Sequence, residues 1–400
     1  MRLPWCNNNQ DIRILKVDKQ MAETDLMTAR SALYPQISLN SHWDRLTNVG
    51  ASMSGHGLDG ENIGYSVSVA GQVYTFGKRR TGIRLAELGI KQTDLKEEQT
   101  RDSLIFNITG AFYSILLCEK LLEVAVEAYN LSDSQVFTAK KRFEQGLVSE
   151  FDLLRARVER SNKRPLTIEA KNRVALARDT FANILNLPKE APFSISGELK
   201  FTPILITEQE AVDLAIKQRV QIKQLQTIYE MRKKQEKLAC ASRYPNVSLL
   251  LNYSNQRPDW GNLSGQWYDE WTASLNIGLP LFTGFRTTAE IKKAKMELEK
   301  VDLTINKTKD LIELEIKQIV KNIQESGELT ESSKETVRLA KEALRLARVS
   351  YENGLATTLD VSQSQLHLTS AKISYYNSVF NYIINVAALE RAVGAQGIGH

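Results

Sequence analysis

Apolar residues recur along this chain with two different periods, and the switch between them divides it into elements. Leu117, Leu121, Val124, Ala128 and Leu131 advance in steps of four and three. Val337, Ala340, Leu344, Ala347 and Tyr351 repeat those steps, the heptad spacing of a helical seam. Alongside the latter run Leu339, Ala343, Leu346 and Ser350. A helix with two adjacent seams has a neighbour on each side, which fits a sheet or cylinder of helices. An ordinary bundle helix with a wide apolar face is the simpler alternative. No proline interrupts 77–144 or 284–352, so each run predicts a rod on the order of 100 Å long.

Elsewhere the period is two. Ile37, Leu39 and Trp43 alternate with Gln36, Ser38, Asn40 and His42. Ile63, Tyr65, Val67, Val69 and Val73 alternate with small or polar residues, as do Val247 to Tyr253 and Trp271 to Leu281. These are four amphipathic strands of roughly ten residues, the length a tilted strand needs to cross a bilayer. Pro35 and Pro245 end the helices that lead into them. Packing on a soluble core is the alternative, but no further domain is present to cover the apolar faces. Four strands cannot close on themselves, and open edges are not tolerated in lipid. A membrane reading therefore requires several copies to share one barrel. Trp43, Trp260, Trp267 and Trp271, with Tyr65, Tyr253 and Tyr268, suit an interfacial aromatic girdle; for any single ring, plain packing stays open.

The whole pattern occurs twice. "RFEQGLVSEFDLL" from Arg142 matches "SYENGLATTLDVS" from Ser350, 208 residues on (350 − 142). "QVYTFGKR" matches "PLFTGFRT" at the same offset, and "LYPQISLN" matches "RYPNVSLL" at 210. An insertion in a helix rotates everything beyond it by about 100°, so a preserved length implies a rigid helical repeat. The first repeat covers 1–190: a short helix, strands 36–46 and 62–74, a long helix 77–144 and a return helix 149–186. After a linker, 191–206, the second covers 207–400: a helix 207–243, strands 246–254 and 270–282, a long helix 284–352 and a return helix 357–391. Gly146 and Gly354 fall where a helix C-cap needs a left-handed residue. Ser149 and Thr357 follow as N-caps.

Composition narrows the function. The charged fraction is 25%, the apolar fraction 42% and the net charge +5. Lys and Arg alternate with Glu, which describes a solvated face; no basic stripe with interleaved aromatics suggests nucleic acid. Cys6, Cys118 and Cys240 are few, odd in number and scattered, and His42, His56, His367 and His400 lack ligand spacing. No phosphate loop, nucleophile elbow or paired carboxylate appears, so neither an enzyme nor a cofactor is expected. No run of eighteen apolar residues predicts a transmembrane helix. The start, "MRLPWCNNNQDIRIL", has no signal-peptide core.

Helix, paired strands, very long helix, Gly turn and return helix, all repeated, resembles the TolC-like outer-membrane efflux family. The carriers are Tyr34-Pro35 and Tyr244-Pro245, the strand ends "VYTFG" and "PLFTG", and the two Gly-Leu turns. The resemblance implies a mainly α fold with long antiparallel helices in an α-barrel. Four strands per protomer would join a shared 12-stranded transmembrane β-barrel in a homotrimer. It implies an exit duct for efflux or type I secretion, in the outer membrane with a periplasmic extension. Its partners would be outer-membrane lipid, a periplasmic adaptor (membrane-fusion protein) and an inner-membrane transporter of RND, ABC or MFS type.

The tip that meets the adaptor would hold Phe143, Gly146, Leu147, Ser149, Asp152, Tyr351, Gly354, Leu355 and Thr357. Asp360 matches the family's entrance acids, while Gln363 stands where the best-known members carry a second acid. Asp360 reads equally as a helix N-terminal acid complementing the dipole. Ile222 aligns with Ile12, so the first repeat is about ten residues short at its opening, as if trimmed or misstarted. A soluble coiled-coil scaffold with β-hairpins is the competing reading.

Overall fold

The two periods fold into the two kinds of element they favour. In a computed structural model, residues 9–49, 58–188, 193–259 and 266–394 are described. The first repeat comprises α1 (Gln10–Ser31), β1 (Gln36–Val49), β2 (Leu58–Tyr74), α2 (Lys78–Glu144) and α3 (Glu150–Ile184). The second comprises α4 (Glu208–Gln218), α5 (Val220–Ala241), β3 (Asn246–Asp259), β4 (Tyr268–Gly278), α6 (Arg286–Glu352) and α7 (Thr358–Val393). Both long helices, α2 and α6, are 67 residues. The expectations on Cys6, His56, Trp260 and His400 lie outside the described residues.

Several boundaries differ from the sequence reading. The helix expected over 207–243 breaks at Arg219, whose ψ of 125° leaves the helical region. Its N–H still donates to the Ala215 carbonyl, and its guanidinium pairs with Glu315 at 2.7 Å. The strand expected over 270–282 ends at Gly278, just before Pro280, which has no N–H to give a ladder. At the loop ends β1, β2 and β3 run past the expected 46, 62 and 254, because pairing continues through polar residues such as Arg45↔Glu61↔Asp259.

The chain divides into two compact units. One gathers Leu95–Lys223 with the described parts of Met1–Leu15 and Asn306–His400. It holds two cores that are copies of one another. Ile12, Leu104, Ile108, Ile115, Phe181 and Leu185 form the first. Their counterparts Ile222, Ile312, Ile316, Ile323, Leu389 and Val393 form the second, extended by Ala211, Val212 and Ala215 of α4. Each fully buried Ile or Leu here contributes roughly 1.5–3 kcal/mol. By length and composition alone, α2 is apolar enough to cross a membrane, where the sequence reading expected no such helix. Its Leu104, Ile108, Ile115 and Leu116 are buried, and the apolar stretch serves the first core.

The other unit, Lys16–Asp94 and Gln224–Ile305, carries the sheet. It is four-stranded, antiparallel and ordered β1-β2-β3-β4. Hairpin β1–β2 belongs to the first repeat and hairpin β3–β4 to the second, joined by the β2–β3 ladder.

Candidate functional site

The ladder register sorts the sheet into two faces, since successive side chains alternate. Ile37–Val69–Leu251–Ala273 and Leu39–Val67–Tyr253–Trp271 form apolar rows. The other face carries Ser38–Ser68–Asn252–Thr272, Asn40–Ser66–Ser254–Glu270 and His42–Gly64–Gln256–Tyr268. Ser38 and Ser68 hydroxyls meet at 2.7 Å, and Asn62 Nδ2 lies 3.2 Å from His42 Nε2. Gly64 makes room for that imidazole: a Cβ there would stand 2.5 Å from His42 Cε1.

Among the described residues, no element covers the apolar face. Ile37 and Leu39 are each 72% exposed and Trp271 78%, far beyond the isolated surface Leu that needs no explanation. Rings cluster toward the loop end: Tyr65 lies 6.5 Å from Tyr253 and 6.3 Å from Trp267, and Tyr253 lies 4.8 Å from Trp271. Tyr268, expected among them, falls on the polar face, because its register partner is Gln256. Among the described residues, no strand pairs with the outer edges of β1 and β4.

The two Gly-Leu turns lie in the other unit. Gly146 (φ +72°) and Gly354 (φ +76°) are left-handed. The Leu147 N–H donates to the Arg142 carbonyl and the Gly146 N–H to that of Phe143, both at 2.9 Å. Leu355 to Ser350 and Gly354 to Tyr351 repeat the pattern at 2.8 and 3.1 Å, so both turns are Schellman caps. Each return helix then opens with a capping box. The Asp360 N–H donates to Thr357 Oγ1 at 3.3 Å, while the Thr357 N–H and hydroxyl donate to Asp360 Oδ2 at 2.8 and 2.7 Å. Ser149 and Asp152 do the same. The hydrogen bond from the Thr357 side chain, then that from its backbone, holds the Asp360 carboxyl below the usual carboxylate range.

The turns are tied to each other by a residue that the sequence reading passed over. Arg142 donates to the Glu352 carbonyl at 2.8 Å, and its guanidinium stands 4.5 Å over the Tyr351 ring. Farther along, Gln365 is buried between α2 and α7, donating to the Ala128 carbonyl at 2.8 Å and accepting from Gln135 at 3.1 Å. Nothing in the sequence reading pointed to its burial or to its partners. Phe143, Ser149, Thr357, Asp360 and Gln363 are exposed, while Asp152 and Tyr351 are half-buried. Leu147 is 68% and Leu355 83% exposed. A Schellman cap commonly packs its C″ residue back on its own helix; here both leucines face outward.

A sheet apolar on one side, polar on the other and open at both edges, carried on very long paired helices, defines a protein of the outer-membrane channel class. The chain belongs to the family described as outer membrane efflux protein, whose model matches residues 6–187 and 211–395. It is similar to the outer membrane protein TolC of Vibrio cholerae serotype O1, 22% identical over 394 residues, 97% of this chain and 88% of the relative. It is similar also to protein CyaE of Bordetella pertussis, 24% identical over 388 residues, 96% and 80% of the two chains. Crystal structures of CusC, concerned with folding and transmembrane channel formation, share its fold with a TM-score of 0.83 at 16% identity, over 97% of this chain and 89% of theirs. The efflux-channel reading thus stands over the soluble scaffold, and the family is one of channels.

Proposed function

We propose that three copies of this chain close one 12-stranded barrel and act as a passive exit duct for efflux or secretion. The observation that carries this is the two-faced sheet with open β1 and β4 edges. In hydrocarbon every backbone N–H and C=O must be paired, so each β4 takes the β1 of a neighbouring copy. The apolar rows then face lipid and the Ser and Asn rows face a wet lumen.

The paired turns dock a periplasmic adaptor, with Leu147 and Leu355 as apolar contacts among Phe143, Gly146, Ser149, Tyr351, Gly354 and Thr357. The adaptor links the duct to an inner-membrane transporter of RND, ABC or MFS type, and the pump selects the cargo. Asp360 places one carboxylate per chain at the entrance, a single threefold ring, with Gln363 adding no second charge. Its Oδ2 serves the cap, so the capping and gating readings are compatible: one oxygen serves each. Asp152 holds the matching cap in the first repeat.

Cysteine cross-linking tests the closure. Within one chain β1 and β4 are not neighbours. In a background with Cys6, Cys118 and Cys240 replaced by Ser, Asn40→Cys is combined in turn with Glu270→Cys, Thr272→Cys and Ser274→Cys. At least one pair should give a covalent trimer ladder on a denaturing gel after treatment with a short bis-maleimide. Monomer alone for every pair would refute the shared barrel.

A further inference from the structure

Each of the four junctions between helix and strand repeats one order of residue types. Leaving α1 the chain passes Arg30, then Tyr34, then enters β1; leaving β2 it passes Tyr74, then Lys78, Arg79 and Arg80. In the second repeat it passes Arg243 and Tyr244 into β3, and Phe282 then Arg286 out of β4. At all four, the ring lies on the strand side and the cation on the helix side. Segments 28–36, 72–82, 238–248 and 278–288 contain these six basic residues and no Asp or Glu. With 47 acids in 400 residues, about five would fall there if charge were indifferent to position.

The other end of the sheet is not one-signed: Asp44, Glu61, Asp269 and Glu270 stand there with Arg45 and Arg257. The rings at the junctions are more than half exposed at Tyr34, Tyr74, Tyr244, Phe282 and Phe285. Arg30, Arg80, Arg243 and Arg286 are exposed as well. Lys78 and Arg79 are engaged, with Asn246 Oδ1 at 3.3 Å and with the Ala32 and Val73 carbonyls at 3.3 and 3.1 Å. Four of these cations stand at the starts of α2 and α6, where the macrodipole disfavours positive charge; Arg286 has Glu290 at 3.9 Å, an exposed pair, so a headgroup phosphate would add to the offset at α6 and supply it at α2.

Hydrocarbon, amphipathic ring, phosphate is the order in which a lipid leaflet presents itself to a spanning strand. We propose that this collar is a binding surface for anionic glycerophospholipid headgroups, of the phosphatidylglycerol type, in the leaflet on the helix side. The inference rests on the sheet spanning a bilayer and adds the chemistry of the lipid it selects. An acidic protein segment would be drawn by the charge but would leave the row of exposed rings without a role.

The test uses the full chain in nanodiscs of phosphatidylcholine with a minor fraction of phosphatidylglycerol. Lipids retained by the released assembly are counted by native mass spectrometry. Each surface cation enriches an anionic lipid by up to roughly fivefold, so the wild type should retain phosphatidylglycerol several-fold above its share of the disc. The variant with Arg30→Gln, Arg80→Gln, Arg243→Gln and Arg286→Gln should fall to the disc ratio; Arg80→Gln and Arg243→Gln alone should each fall part of the way. Lys78 and Arg79 are left intact because they hold the junction together. No enrichment in the wild type, or equal enrichment in the variants, would overturn the proposal, the former also being the result if the collar serves an acidic protein. Entry of the wild type into pure phosphatidylcholine discs checks the spanning sheet separately: failure there removes the membrane reading itself, not merely the lipid preference.

Discussion

Gly354→Val isolates the conformational demand of a Gly-Leu turn. At Gly354, φ is +76°, and nothing lies within 4 Å of where a Cβ would stand. A Cβ therefore meets no neighbour, and the cost considered is that of holding an L-residue in the left-handed region, about 1–2 kcal/mol. That cost corresponds to a factor of roughly 5–30 in the local opening equilibrium. The reporters are the Leu355 amide, 2.8 Å from the Ser350 carbonyl, and the Gly354 amide, 3.1 Å from that of Tyr351. Hydrogen exchange read by mass spectrometry on peptides spanning 345–358 should accelerate by that factor in Gly354→Val. Gly354→Asn, which tolerates the same φ, should change much less. At Gly394, with φ +72°, a Cβ would stand 3.4 Å from the Gln218 carbonyl, so Gly394→Val should cost more than Gly354→Val. Equal exchange in Gly354→Val and Gly354→Asn, or unchanged exchange in both, would refute the reasoning.

The pair Leu147→Ser and Leu355→Ser, both exposed, should leave thermal stability within about 0.5 kcal/mol while weakening adaptor capture in a cross-linking assay. Tyr382→Phe removes the hydroxyl that accepts the Ile204 N–H at 2.9 Å at a residue 4% exposed. The orphaned amide should cost about 1–3 kcal/mol, read as a lowered unfolding midpoint. Asp360→Ala should reduce cation preference in planar bilayers, and Thr357→Ala, which removes the cap but not the charge, should not. Because the Asp360 carboxyl is held below the usual range, its cap contributes fully above the ordinary carboxylate pKa and is lost only as pH falls through the depressed value. Selectivity carried by Asp360 should accordingly stay flat between pH ~5 and ~7, and a titration within that window would count against it.

Much of this architecture was legible because periodicity and duplication reinforce one another. Leu104 and Ile312, or Ile108 and Ile316, sit at one offset in both repeats and at the same depth in both cores. The strands were legible for the same reason, up to the point where pairing ran on through polar residues such as Arg45 and Glu61. The break at Arg219 was not, since "IKQRVQIKQL" carries neither Gly nor Pro. It is made by tertiary contacts, with Glu315 on α6 and Gly394 against the Gln218 backbone. At the two Gly-Leu turns, the glycines and caps could be read from residue type. The Arg142 clasp could not, because it joins positions 210 residues apart (352 − 142). The left-handed Phe76 and Phe285, at φ 46° and 64°, were equally hidden; Phe76 is held by Tyr74 at 4.6 Å and Tyr244 at 5.2 Å.

The β2–β3 ladder has a bearing on how many molecules must meet. Since the hairpins are tandem copies, the edge that β2 presents to β3 is the edge β4 leaves bare, and β3's is matched by β1. In the proposed barrel a ring of six hairpins would have six seams, and the covalent link between repeats makes every second one a property of a single folded polypeptide. Three molecules then suffice where six independent hairpins would need twice as many, so the dilution at which such a ring comes apart would follow a third-power law in concentration instead of a sixth.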